Sequence, residues 1–167
     1  MLQACMVGVA AATLASSAFA QAIDYSRLQH STLEGLVANL NAGVAKDKGH
    51  NPKVGDRIFD GALSGWVVEA GYTGAVSPMS DDEKAFLRDG FRSVQQEPLA
   101  ALYDKSMLFH VGGKDYWLPV QSEVIPFFAK ELKVGDKVDL YVLQTGGMLQ
   151  KSGWEWVFMV VDFQKPK

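Results

Sequence analysis

Cysteine is almost absent from this sequence: the only one among 167 residues is Cys5, close to the amino terminus. A single thiol cannot form a disulfide within the chain, and it excludes a zinc site built from several cysteine ligands. A chain of this length can bury enough apolar surface to fold without crosslinks. We therefore expect a disulfide-free domain that is stabilised by its core.

Clusters of positive charge are also missing. The sequence has 16 Lys and Arg against 19 Asp and Glu, for a net charge of −3, and no run of basic residues. Nucleic acids and anionic membrane surfaces attract proteins mainly through clustered Lys and Arg side chains. We therefore expect no nucleic-acid partner.

The motifs of common enzymes are absent as well. The sequence contains no G-x-S-x-G elbow, no phosphate-binding glycine loop and no dinucleotide fingerprint. Its three histidines, His30, His50 and His110, are isolated from one another, whereas metal sites usually take ligands at helix or hairpin spacing. We predict no metal and no cofactor.

The amino terminus has an apolar run, but a short one. A transmembrane helix needs about 18 or more apolar residues, and the run here covers only residues 6 to 15. Residues 1 to 20 carry no charge and end in Ala18-Phe19-Ala20, a pattern typical of a signal-peptide cleavage site. The sequence departs from a typical signal peptide in one respect: such peptides begin with Lys or Arg, and the first cation here is Arg27. The alternative interpretation of residues 1 to 20 is a buried amino-terminal helix.

A cleaved signal peptide at residues 1–20 has three consequences. It predicts an exported protein with no transmembrane anchor, and it removes Cys5 from the mature chain. Export without disulfides suits a bacterial periplasm better than a eukaryotic extracellular space. We therefore expect a periplasmic location.

Two amphipathic helices are predicted from apolar spacing and capping patterns. The first covers residues 31 to 46, with Ser31 and Glu34 as a capping box. The second covers residues 80 to 95, with Ser80 and Glu83 as its capping box. The apolar stripe of the first helix consists of Leu33, Leu36, Val37, Leu40 and Val44.

A third, shorter helix is predicted in the segment SEVIPFFAKEL. Ser122 is its expected cap, and Pro126 is tolerable because it falls in the first turn. The expected buried stripe is Val124, Ile125, Phe128 and Leu132.

The remaining segments have the character of β-strands. Residues 57 to 72 form one long or two short strands, with bends or bulges at the glycines. An alternating strand covers KVDLYVLQ, a polar glycine-rich loop is expected from 145 to 153, and a final strand follows in WEWVFMVVDF. That last strand is apolar on both faces, which favours a closed barrel.

The clearest local pattern is a hairpin, in which SMLFHV and KDYWLPV are joined by Gly112-Gly113. Glycine adopts the positive φ angles that a two-residue hairpin turn requires. Pairing Val111 with Lys114 fixes the register of all residues beyond the turn. The expected pairs are His110 with Asp115, Phe109 with Tyr116, Leu108 with Trp117, and Met107 with Leu118.

From residue 57 onward the predicted order is strand, helix, strand, strand, helix, strand, strand. This order resembles that of the OB-fold, whose helix lies between the third and fourth of five strands. We therefore predict an α+β fold: a small five-stranded OB-like β-barrel with an inserted helix after strand 1 and an amino-terminal amphipathic helix. Residues 21–52 form that helix and a linker, and residues 53–167 form a single barrel domain. Another small α+β sheet and an SH3-like barrel are the alternatives.

Two places in the hairpin are candidates for function. His110 and Asp115 are expected to be cross-strand neighbours, as an ion pair or as an acid and base. Trp117 is expected opposite the core face, beside Leu108 and His110, where an OB-like barrel binds its ligands. Trp154, next to the loop 145–153, is expected to contribute to the same surface.

These patterns favour an exported, non-enzymatic binding or scaffold domain. Its barrel face around Trp117 would contact another cell-envelope component, either a protein or a glycan. One alternative is a small glycan- or ligand-directed enzyme that uses His110 and Asp115 as acid and base. A second alternative is a structural subunit of a larger envelope assembly, and exposure of Leu33, Leu36 and Leu40 in the isolated domain would favour it.

Overall fold

The computed structural model describes residues 27–47, 49 and 51–166. The predicted signal peptide, with Cys5, lies outside the described residues, and so does His50. In chain order the elements are β1 (Gln29–Ser31), α1 (Leu33–Lys46), β2 (Arg57–Pro78), α2 (Asp81–Ser93), a 3-10 helix (Glu97–Leu102), β3 (Lys105–Val111), β4 (Lys114–Val120), α3 (Ile125–Glu131), β5 (Lys137–Gln150) and β6 (Gly153–Gln164).

Strands β2 to β6 form a closed, mixed β-barrel. The order around it is β2-β3-β4-β6-β5, and a pairing of β2 with β5 closes the ring. Strands β4 and β6 are parallel, and the other neighbouring barrel strands are antiparallel. The prediction of a small β-barrel with accompanying helices is confirmed. The short strand β1, which pairs parallel with β2 on residues 66 to 68, was not predicted.

The long strand β2 pairs with two different strands along its length. Its part from Arg57 to Gly71 pairs with β5, and its part from Gly71 to Pro78 pairs with β3. The register shifts twice, between Phe59 and Ser64 and between Tyr72 and Val76. The predicted bulges are therefore present, in one continuous strand.

The β3–β4 hairpin has the predicted register at every pair. His110 lies opposite Asp115, and Leu108 lies opposite Trp117. Gly112 and Gly113 have φ angles of 57° and 84°, which the two-residue turn needs. Met107, Phe109 and Leu118 are buried and Tyr116 is half-buried, so the expected core face is correct.

The barrel interior is filled from two helices as well as from the strands. Phe128 and Leu132 come from α3 and its end, and Leu33 and Leu36 come from α1. All four pack in one cluster with the inward side chains of β2 to β6. The α1 stripe is therefore buried or half-buried in this domain, so the exposure that would favour the structural-subunit hypothesis is not seen in α1.

A second apolar cluster lies on the outer side of β5 and β6. Met159 and Val161 point to this side and pack with Phe86, Leu87 and Phe91 of α2. The alternate residues Phe158 and Val160 belong to the interior cluster. The last strand is therefore apolar on both faces because the barrel covers one face and α2 covers the other.

Two predicted helix caps are wrong. The cap of α1 is Thr32, whose side chain accepts a hydrogen bond from the Gly35 N–H, so Ser31 and Glu34 form no capping box. The reason is that Ser31 is the last residue of β1. The cap position of α3 is Val124, without a side-chain hydrogen bond, and the Ser122 hydroxyl bonds elsewhere, to the Leu102 carbonyl.

The predicted loop from 145 to 153 is also wrong. Strand β5 continues to Gln150, strand β6 begins at Gly153, and Lys151-Ser152 is all that remains of a turn. Gly146 and Gly147 are buried strand residues, paired with both β2 and β6. Trp154 is therefore held in a strand next to a tight turn and not beside a long loop.

The predicted capping box of α2 is present. The Ser80 hydroxyl accepts from the Glu83 N–H at 3.2 Å, and the Glu83 carboxylate accepts from the Ser80 N–H at 2.6 Å. Replacing Ser80 by Ala removes the cap acceptor, and we expect it to lower the free energy of unfolding by about 1 kcal/mol. Urea denaturation measures the loss. Ser152→Ala, in the exposed turn between β5 and β6, is the matched control; an equal loss there would contradict the capping argument.

Candidate functional site

The pairing of β4 with β6 covers only a short part of the barrel wall. Among the described residues these strands form one register pair, Val120 with Val160, next to which the Gln121 N–H donates to the Val160 carbonyl. Before that pair, towards the start of both strands, residues of β4 and β6 line two cavities. We name this unpaired part of the barrel wall the β4–β6 slot.

The slot connects two cavities. One, of about 1010 Å³, is bounded by α1, and the other, of about 400 Å³, is bounded by α2. We call them the α1-side cavity and the α2-side cavity. Both cavities are lined by Glu83, Trp117, Leu118, Glu155, Trp156 and Phe158.

Tryptophan rings dominate the slot. Trp117 is 49% exposed, on the opposite face of β4 from the core residues. Trp154 and Trp156 stack with ring centroids 5.6 Å apart, and the Trp156 Nε1–H donates to the Asn41 side-chain oxygen at 2.9 Å. Because Trp156 is anchored to α1 in this way, its ring is a fixed wall of the slot.

The predicted partner-binding residues divide into two groups. Trp117 and Trp154 both line the α1-side cavity, so the structure brings these two together. Leu108 is half-buried and His110 is exposed, and neither belongs to the lining of that cavity. The aromatic part of the predicted surface is thus assembled at the slot, and the β3 part lies outside it.

His110 and Asp115 are neighbours, as the register predicted. The His110 Nδ1 and an Asp115 carboxylate oxygen are 2.8 Å apart. Their side chains are 56% and 62% exposed, so water surrounds the pair. Asp115 lines the α1-side cavity and His110 lies outside it. This geometry is that of a solvated cross-strand pair, and exposed pairs of this kind contribute little to stability.

The slot carries an excess of negative charge. Its two cavities are lined by five acidic residues, Glu34, Asp82, Glu83, Asp115 and Glu155, against Arg57 and Lys114. Arg57 is already paired with Asp89 at 2.9 Å, and Asp115 is paired with His110 at 2.8 Å, so both have a reduced effect on a ligand. Four acidic residues then remain against Lys114. The slot therefore favours cationic over anionic ligands.

Tyr116 adds a neutral hydrogen-bonding group to the α1-side cavity. Burial raises the pKa of its phenol, and the adjacent Glu34 carboxylate raises that pKa further. The hydroxyl donates towards Glu34 at 3.5 Å. The phenol thus stays protonated at neutral pH.

Ser106 is one of several polar residues of the slot that sequence reasoning missed. Its side chain is 3% exposed, lines the α1-side cavity, and its hydroxyl has no hydrogen-bond partner in the described part of the chain. A buried hydroxyl without a partner is costly, so such a group often marks a place where a ligand binds. Nothing in the local sequence distinguishes this serine from others.

Within residues 27–47, 49 and 51–166, no cluster of three or more potential metal ligands is present. The same residues form no helix that is long and apolar enough to cross a membrane. Comparisons of the chain with known protein families, with curated proteins and with solved structures give no match.

Proposed function

We propose that this protein is an exported, non-enzymatic binding or scaffold domain, and that it contacts another cell-envelope component through the aromatic surface around Trp117. Export is supported by the sequence pattern of residues 1–20.

We further propose an OB-like identity for the barrel. Two features support that identity: the strand order β2-β3-β4-β6-β5, and the helix α3 between the third and fourth barrel strands.

The half-exposed Trp117 at the mouth of the β4–β6 slot carries the proposal. A buried tryptophan side chain typically removes about 150–250 Å² of surface from water. Such rings are among the commonest anchors of binding surfaces. Trp117 borders two cavities, both of which Trp156 also lines and one of which Trp154 lines. Concave, partly apolar sites with a few polar groups are where ligands bind.

The contacted component is a protein or a glycan. A flat indole ring stacks on sugar rings and also anchors protein partners, and the acidic residues offer hydrogen-bond acceptors to either. The surface we propose consists of Trp117, Trp154 and Trp156, held by strands β4 and β6.

An enzyme that uses His110 and Asp115 is the second candidate. The 2.8 Å contact between the two side chains favours it, because a carboxylate that orients an imidazole is a common acid–base arrangement. The exposure of both groups weighs against it, since general acids and bases work best in sites that exclude water. A structural subunit of a larger envelope assembly remains a third hypothesis.

Affinity capture tests the lead proposal. The tagged chain, residues 21 to 167, is recovered from a gently solubilised envelope of its own cells, and stoichiometric co-purifying material is identified by mass spectrometry. We expect a specific envelope component whose recovery falls at least tenfold with Trp117→Ala. The matched control is Phe127→Ala, because Phe127 is 47% exposed and lies outside the linings of both slot cavities. Equal recovery with both variants would refute the proposed surface.

His110→Ala separates the binding and enzymatic hypotheses. A binding domain keeps its captured component within a few-fold, because His110 lies outside the cavity lining. An enzyme that uses the pair loses turnover of the captured or screened substrate by orders of magnitude. The first result supports the lead proposal, and the second replaces it.

A further inference from the structure

We infer that the β4–β6 slot accepts an extended, basic polypeptide segment of a partner protein, which pairs with the free edges of β4 and β6 as an added strand. This inference rests on the proposed binding function and narrows the partner to a protein. Three independent observations support it: unpaired strand edges, cavities on both faces of the slot, and the excess of acidic side chains.

The edge of β4 that faces the slot has free backbone groups. In a two-residue hairpin the residues beside the turn exchange both backbone hydrogen bonds, and bonded and non-bonded pairs alternate from there. Val111 and Lys114 flank the turn of the β3–β4 hairpin, so the N–H and C=O groups of Asp115 and Trp117 point away from β3. Gln121 is an even number of positions from Trp117, so its backbone groups point the same way. Its N–H donates to the Val160 carbonyl of β6, which shows that this edge of β4 faces β6.

The opposite edge, on β6, follows the same rule. Gln150 and Gly153 flank its hairpin turn, so the backbone groups of Trp156 and Phe158 point away from β5. The register shift near Gln144 inserts a residue into β5 and leaves the alternation along β6 unchanged. Val160 has the same parity and pairs with β4.

These free backbone groups lie along the unpaired stretches of β4 and β6. Within the described chain the pairing of β4 with β6 stops at Val120 and Val160, so the groups of Asp115, Trp117, Trp156 and Phe158 lack a strand partner. Exposed strand edges bind extended peptides by main-chain hydrogen bonds. A glycan has no repeating N–H and C=O pairs to match them.

The two cavities suit the side chains of such a strand. Successive side chains of a β-strand point to opposite faces. Each cavity is lined by both Trp117 and Leu118, which lie on opposite faces of β4, so side chains on either face of an inserted strand would border a cavity. The orphan Ser106 hydroxyl lies in the α1-side cavity, where it could bond a side chain of the segment. Trp117 covers one edge of the slot.

The charges specify a basic segment. Glu34 and Asp115 line the α1-side cavity, Asp82 lines the α2-side cavity, and Glu83 and Glu155 line both. Lysine or arginine side chains of the segment would meet a carboxylate on either face. An acidic segment would be repelled from both.

A designed peptide tests the inference on the chain of residues 21 to 167. The probe is a fluorescein-labelled octapeptide of alternating lysine and valine, and binding is followed by fluorescence anisotropy. One matched peptide replaces lysine by glutamate. Two others carry N-methyl groups on either the lysines or the valines, which blocks hydrogen bonding along one edge and keeps the charge.

We expect the lysine peptide to bind at least tenfold more tightly than the glutamate peptide and than either N-methylated peptide. Trp117→Ala should weaken binding at least tenfold, and Phe127→Ala should leave it within twofold. By amide hydrogen exchange, binding should slow exchange at Asp115, Trp117, Trp156 and Phe158, the residues with free edges. Equal affinity for methylated and unmethylated peptides, or no protection of these amides, would overturn strand addition. So would the absence of binding.

The two proposals fail in different ways. If capture of an envelope component depends on Trp117 but the lysine peptide does not bind, the strand inference is wrong and the proposed function stands. If the peptide binds with the expected protection but the capture is empty, the slot is a peptide site and the envelope function is wrong. Capture of a glycan would also overturn the inference. So would a dimer of this chain that is seen by sedimentation and is lost with Trp117→Ala.

Discussion

Replacing Gly146 by Ala is expected to prevent stable folding, or to lower the free energy of unfolding by about 3 kcal/mol or more, at the upper end of the usual cost of overpacking. A Cβ atom at this position would overlap the carbonyl oxygen of Ile58 and lie 3.1 Å from the carbonyl carbon. The obstacle is backbone, which cannot rotate away as a side chain can. Relief requires β2 and β5 to separate where they close the barrel.

Urea denaturation followed by tryptophan fluorescence measures this effect. Gly61→Ala is the matched control, because Gly61 also lies in a barrel strand and a Cβ there would meet nothing within 4 Å. We expect the control to change stability by less than about 1 kcal/mol, within the ordinary range for an exposed substitution. A loss below about 1 kcal/mol for Gly146→Ala would show that β2 and β5 are not in such close contact.

Replacing Phe128 by Ala is expected to cost about 3–5 kcal/mol, the range for truncating a buried aromatic side chain. Phe128 is fully buried, and its ring centroid lies 4.0 Å from that of Phe163, 5.5 Å from that of Phe109 and 5.8 Å from that of Tyr72. One ring thus joins α3 to strands β2, β3 and β6. Its removal leaves a cavity in the middle of the barrel core.

Such a loss is a large part of the total stability of a small domain, which is typically about 5–15 kcal/mol. If the Ala variant does not fold, Phe128→Leu is measured in its place, and we expect it to lose less free energy of unfolding than the Ala variant would. Phe127→Ala is the control from the adjacent position of α3, where the ring is 47% exposed, and we expect less than about 1 kcal/mol there. Similar losses for both positions by urea denaturation would contradict the assignment of Phe128 to the core.

The position of Trp117 was accessible to sequence reasoning because the β3–β4 hairpin is a local structure. Two glycines fix the turn, the turn fixes the register, and the register decides which side chains leave the core face. The contact of His110 with Asp115 follows from the same local rule. The register of the turn made them predictable as neighbours, and the structure adds the 2.8 Å distance between the His110 Nδ1 and the Asp115 carboxylate.

Trp156 and Ser106 could not be assigned to the slot in this way. Trp156 reaches the slot because β6 lies beside β4, a pairing between segments that are distant in the chain. Ser106 shares the lining of its cavity with residues of α1, which lies far from it in the sequence. No local pattern records either relationship.

The error at residues 145–153 has a physical cause. Glycines in a polar segment usually indicate a loop, because glycine favours turns. Here Gly146 permits a close approach to Ile58, and Gly147 makes room for the Trp156 ring, which would lie 2.7 Å from an added Cβ. Glycine is needed for space in a paired strand, and composition alone does not distinguish that need from flexibility.

Local patterns in the sequence determined the α2 capping box, the hairpin register and the two-sided apolar character of β6, because each depends on residues a few positions apart. Only the tertiary structure decided that Thr32 caps α1, since the preceding residue, Ser31, pairs with the distant strand β2. It also decided that the pairing of β4 with β6 covers only a short part of the barrel wall. That limit depends on where two remote segments cease to pair, and hydrogen bonds between remote segments leave no periodic signal in either one.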